Sequence, residues 1–201
     1  MTALTTTRRS LHGVAELLLA GPQFRTSERI ELRVAGEGFA TIAEPGLAVE
    51  GTRLRTATGA VDLPGRTYRE VAALIGVEPS DLADVYSDGP SVRADETIEL
   101  DAEAVATLLS AFAAGDRALR EFAPDETPVL WPEHFDVAIT LGAVNYGVSP
   151  GDGYLPEPYA YVGPHEPREG EFWNAPFGAA HPVRELDDLL AFFREGQALA
   201  G

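Results

Sequence analysis

Between Arg29 and Leu63 the chain is cut by glycine-bearing turns into short stretches, with only a few residues between one stretch and the next. Arg29–Val34 alternates with period two and puts Ile30, Leu32 and Val34 on one face. Ala35–Gly38 reads as a turn and Phe39–Ile42 as the returning strand, and Leu47–Glu50, Thr52–Thr56 and Ala60–Leu63 repeat the pattern. A parallel crossover needs about a dozen residues or more, so connections this short allow only antiparallel neighbours. The segment is predicted to be an antiparallel meander.

Helical spacing surrounds it. Leu11, Val14, Ala15, Leu18 and Leu19 predict a helix over Arg9–Ala20, stopped by Gly21-Pro22, with residues 1–8 a flexible tail. Thr67 and Glu70 form a capping box for a short helix with Val71, Leu74 and Ile75 buried and Gly76 at its end. Pro79–Asp81 starts a further turn of helix. Asp101 caps the longest helix, Ala102–Phe122, whose Val105, Leu108, Leu109, Phe112, Leu119 and Phe122 face inward. Beyond Pro124 and Pro128 the composition shifts to Pro, Gly and aromatic residues. Phe135–Leu141 and Ala143–Val148 read as a β pair and Tyr159–Val162 as another strand. Leu186, Leu189, Leu190 and Phe193 predict a last helix over Val183–Glu195. The fold expected is α+β: an antiparallel curved sheet packed by three principal helices, in a single domain over 1–201.

Charge and composition narrow the function classes. The chain has 15 basic and 32 acidic residues, a net charge of −17, which repels phosphate backbones and anionic lipid, so neither nucleic acid nor membrane is expected as a partner. It has no cysteine, which removes disulfides, thiolate nucleophiles and cysteine-ligated metals. Glu16 interrupts the first apolar run, so the Arg8-Arg9 pair is not read as an export signal, and a cytoplasmic location is expected.

Candidate chemistry concentrates after Leu130. Trp131-Pro132-Glu133-His134-Phe135-Asp136 is the densest cluster of functional groups. In a strand, His134 and Asp136 share a face opposite Phe135, as a metal pair or as a base with its orienting acid. The plainer reading is a strand entry that ties down neighbouring loops. Asn145–Gly153 is a glycine-rich loop after a strand, where Asp152 and Glu157 could offer oxygen ligands, but it matches neither an EF-hand nor a P-loop. Tyr159 and Tyr161 share a strand face, and Phe172-Trp173-Asn174 adds aromatics close by, a composition suited to a ligand cleft or simply to a core. Ser149 lacks a nucleophile elbow, His12 reads as structural, and His181 reads as a cap.

Leu11-His12, Leu130–Asp136, Val144–Gly147 with Ser149–Asp152, Glu157–Tyr159 with Tyr161–Pro164, and Phe172–Asn174 with Pro176–Gly178 resemble a family of hypothetical proteins of high-GC bacteria. A looser similarity extends to a wider domain family of unknown function. The resemblance implies a bacterial, cytoplasmic protein and supplies no catalytic residues.

The function expected is therefore the binding of a small organic ligand. The residues expected to hold it are Trp131, His134, Asp136, Asn145, Tyr146, Tyr159, Tyr161, Trp173 and Asn174. One alternative is a metal-assisted hydrolase or lyase drawing on His134, Asp136, Asp152 and His165. Another is a homo-oligomeric interaction protein without catalysis, in which the aromatic segment is the interface. No cofactor and no catalytic residue is assigned by the sequence.

Overall fold

A computed structural model describes residues 2–201. Ten strands form one antiparallel sheet in the order β10-β9-β8-β7-β6-β1-β2-β3-β4-β5. It consists of two meanders, each running outward from the middle. The first comprises β1 (Leu32–Val34), β2 (Gly38–Thr41), β3 (Ala48–Glu50), β4 (Arg53–Thr56) and β5 (Gly59–Asp62). The second comprises β6 (Val129–Trp131), β7 (Asp136–Leu141), β8 (Val144–Ser149), β9 (Tyr159–Pro164) and β10 (Ala179–Pro182). They meet where β1 pairs with β6 through Leu32 and Leu130. The sheet is open, with β5 and β10 at its edges, and the expected α+β class with an antiparallel curved sheet is the one observed.

Three helical bodies pack the sheet. The first is a continuous rod of α1 (Ala3–Val14), a π-helical segment (Ala15–Ala20) and α2 (Gly21–Ser27). It begins well before the expected Arg9, so the stretch expected to be a tail is helix. The reason is buried polar anchoring: Thr7 Oγ1 accepts from the Asp101 amide at 3.0 Å and Ser10 Oγ from the Glu99 amide at 3.1 Å. Gly21-Pro22 does not stop the rod either. In the π segment the Gly21 amide reaches back to the Glu16 carbonyl, and Pro22 has no N–H to offer the next carbonyl, that of Leu17. The Ser80 amide fills that place at 3.1 Å. Gly21 is required for this approach, since a Cβ there would sit 1.8 Å from the Ser80 carbonyl oxygen. Residues 79–81 lie non-helical beside the rod, and the turn expected to start there follows at Leu82, whose carbonyl accepts from the Val85 and Tyr86 amides at 2.8 and 3.1 Å.

The second body is α4 (Ala102–Phe122), capped by Asp101 on the Ala104 amide as expected. It crosses β7 and β8 at Gly115, where an added Cβ would be 2.8 Å from Val148. The third, α5 (Leu189–Ala200), starts later than expected, because Asp188 caps it by accepting from the Leu190 and Ala191 amides. The predicted start at Val183 is a separate turn of 3-10 helix, Val183–Glu185. The short α3 (Tyr68–Ile75) has both halves of its capping box, although Leu74 is exposed rather than buried. Strand β1 is shorter than predicted because the buried Gln23 amide takes the carbonyls of Arg29 and Glu31. Among the described residues no helix is long and apolar enough to cross a membrane.

Candidate functional site

The helices α4 and α5 cover one face of β7–β9, and alternation sends every second residue to the other face. Register aligns Ala138, Gly147, Tyr161 and Ala180 in one row, and Thr140, Asn145 and Gly163 in the next. Gly147 makes this floor usable: a Cβ there would lie 2.6 Å from the Tyr161 ring, so only glycine lets the tyrosine lie across the neighbouring strand. The result is a cleft of about 680 Å³ between the sheet, α1 at Arg8 and His12, and the loop at Asp88-Gly89.

Its aromatic wall is Tyr159, Tyr161 and Phe177. The two tyrosine rings are 6.4 Å apart, and Phe177 packs within 6.5 Å of both. Each tyrosine hydroxyl is tied to a carboxylate. Tyr159 donates to Asp152 Oδ2 at 2.6 Å, and Tyr161 donates to Asp136 Oδ2. Burial raises the Asp136 carboxyl above the usual carboxylate range, against the opposing effect of the Tyr161 hydrogen bond. Burial also raises both tyrosines, with the neighbouring aspartates adding to it. Asp152 is further occupied at Oδ1 by the amides of Tyr154 and Leu155.

Two cleft residues come from α1. The His12 ring stacks on Phe135 with centroids 5.2 Å apart and planes 8° from parallel. Its Nε2 lies 2.6 Å from the Pro132 carbonyl, which can only accept, so Nε2 carries the proton and Nδ1 is bare. Burial is the main force that lowers this imidazole to about 4, which keeps it neutral at pH 7. Arg8, one turn earlier, lines the same cleft. Its Nη1 is buried without a hydrogen-bond partner among the described residues, and burial lowers its pKa against the attraction of Asp152.

His134 and Asp136 do not share a strand face. The chain makes a tight turn in which the Phe135 amide bonds to the Trp131 carbonyl and Phe135 takes φ of 56°, so β7 begins only at Asp136. A bulky residue in the left-handed region is costly, and burial against His12, Phe39 and Phe112 holds it there. His134 consequently projects to the exposed rim, 3.8 Å from Asp88. The ligating atoms of Asp88, Glu133 and His134 lie within 4.8 Å of one another.

Of the expected ligand residues, His134, Asp136, Asn145, Tyr159 and Tyr161 line the cleft, as do the metal candidates Asp152 and His165. The others are elsewhere. Tyr146 is buried on the opposite sheet face against Phe122 and Phe193. Trp131 does not line the cleft, Trp173 packs edge-on to Phe172, and Asn174 bonds both backbone groups of Ala180. Of the metal set, Asp136 and Asp152 are engaged by tyrosine hydroxyls, and the groups that meet His134 are Asp88 and Glu133.

Sequence reasoning missed Arg8 as a site residue and took His12 as structural. A signal was available: Arg8, His12 and Glu16 recur every fourth residue and so share one face of the rod. Glu16 is buried, its carboxyl raised chiefly by that burial. Its carboxylate fills the space beside Gly89, where a Cβ would meet Oε2 at 2.5 Å, and so sets the loop that walls the cleft. Compared with known proteins, the chain matches no family model, no curated protein and no solved structure.

Proposed function

We propose that this is a cytoplasmic protein that binds a small organic molecule in the cleft over β7–β9. The observation that carries the reading is the convergence of a tyrosine and phenylalanine wall with buried, oriented polar groups from separate elements. Tyr159, Tyr161 and Phe177 supply an apolar wall of rings inclined to one another, while Asn145, Asp136, His12 and Arg8 border it with donors and acceptors. A concave site with an aromatic wall and a few fixed polar groups is the usual form of a small-molecule site. Its volume of about 680 Å³ lies within the range of such sites.

Native mass spectrometry of protein offered a panel of small hydroxylated aromatic compounds tests this. One-to-one adducts are expected on the wild type, and their loss in Tyr161→Ala. A panel without adducts, or adducts that survive in Tyr161→Ala and Tyr159→Ala alike, overturns it. A second reading, metal-assisted hydrolysis or elimination, is favoured by the Asp88–Glu133–His134 cluster at the rim. It requires a divalent-metal adduct on protein purified without chelator, lost in His134→Ala.

A further inference from the structure

The protein carries all its fixed positive side-chain charge on arginine, and most of it is spent on the surface. Arg9 pairs with Glu96 at 2.8 Å, Arg120 with Asp116 at 2.9 Å and Arg53 with Asp62 at 3.0 Å. Arg8 is different. It is half-buried in a cleft, no ion pair or hydrogen bond engages it among the described residues, and one of its terminal nitrogens is shut off from solvent without a partner. Removing a guanidinium from water is costly unless an acceptor replaces the water.

The nearby carboxylates do not fill that role. Asp152 already accepts from the Tyr159 hydroxyl and from two backbone amides, and Asp136 accepts from Tyr161. The site nevertheless brings the guanidinium in closely. Gly151 has φ of 96°, and a Cβ there would stand 2.7 Å from Arg8 Nη1, so the backbone leaves room that only glycine provides.

Building on the small-molecule reading above, we propose that the natural ligand of this cleft is a monocarboxylate with a planar, ring-like body. Its carboxylate seats on the Arg8 guanidinium and its ring lies against Tyr159, Tyr161 and Phe177. With Nη1 closed against the Gly151 backbone, the part of the Arg8 side chain that lines the cleft offers the carboxylate a charge-assisted contact. A single positive charge with Asp152 and Asp88 on the same cleft favours one negative charge over the two of a phosphate monoester. The −17 net charge of the chain adds to that preference.

The test uses three probes on the intact protein: 4-hydroxybenzoate, its neutral analogue 4-hydroxybenzamide, and inorganic phosphate, with affinities from chemical-shift titration. On the wild type the carboxylate is expected to bind about tenfold tighter than the amide, the gain of one charge-assisted contact. Arg8→Gln is expected to abolish that preference, and Arg8→Lys to keep part of it. Urea unfolding midpoints close to that of the wild type show that the Arg8 variants fold. Equal affinity for carboxylate and amide on the wild type, with both lost in Tyr161→Ala, overturns the carboxylate assignment and leaves the small-molecule reading standing. Phosphate displacing 4-hydroxybenzoate at equal concentration overturns the single-charge assignment. No binding of any probe overturns this inference, whereas the small-molecule reading itself falls only if the wider panel also fails.

Discussion

On the β3–β5 side of the sheet the outward charges are ordinary. Arg53 meets Asp62 at 3.0 Å and Arg55 meets Glu50 at 3.5 Å, with all four side chains open to solvent. On the β7–β9 side the face away from the helices carries Asp136, Tyr159 and Tyr161, all largely removed from water and bonded to one another or to Asp152. Both halves are antiparallel meanders, but the second has long connections over 150–158 and 165–178, which bring Asp152 and Phe177 to the cleft. What also differs is that the rod α1 and the Asp88-Gly89 loop lie over the second half and give its outer face a roof. Polar groups under a roof must find partners, and among the described residues two buried side-chain atoms find none, Arg8 Nη1 and Tyr86 Oη.

The contrast rests on the packing around Phe135, so breaking that packing has the largest expected effect. Phe135→Ala removes a fully buried ring from between His12, Phe39 and Phe112 and is expected to cost about 3–5 kcal/mol in urea unfolding. A cost below about 1 kcal/mol would mean that this turn does not hold the roof to the sheet.

Next in size is the pH response of His12. Its folded value of about 4 lies below the ordinary 6.5, so the unfolded chain binds more protons between those values. The stability it contributes is full above pH 6.5 and is lost as the pH falls through 4. The loss amounts to about 3 kcal/mol across that window, at roughly 1.4 kcal/mol per unit. Unfolding curves of wild type and His12→Asn, compared at pH 7 and pH 4, should differ by that amount more at neutral pH. Parallel curves would place the imidazole in water.

The smallest effect belongs to the first meander. Arg53→Ala is expected to change stability by no more than about 1 kcal/mol, since exposed pairs are screened and their side chains costly to fix. A larger loss would erase the distinction between the two halves.

Much of the scaffold was legible in the sequence, wherever one residue and its near neighbours settle the matter. The Thr67–Glu70 capping box, the Asp101 cap and the alternation of Leu32 and Val34 about Arg33 are satisfied within a few residues, and each is found where expected. Alternation also placed Tyr159 and Tyr161 on one side. The same rule could have separated Asn145 from Tyr146, which as strand neighbours face opposite ways. The errors fall where a distant partner decides. Gly21-Pro22 continues a helix because the Ser80 amide supplies the missing donor. The expected tail is helix because the Asp101 amide donates to its Thr7 hydroxyl.

The sequence by itself determined the α+β class, the antiparallel sense of the first meander and the aromatic character of the second half, because turn length and side-chain period are local properties. Only the tertiary structure decided that Arg8 and His12 on the first helix stand over Asp136, Tyr159 and Tyr161. That encounter depends on Leu32 pairing with Leu130 and on the left-handed turn at Phe135, which close separations of about a hundred residues that no local pattern encodes.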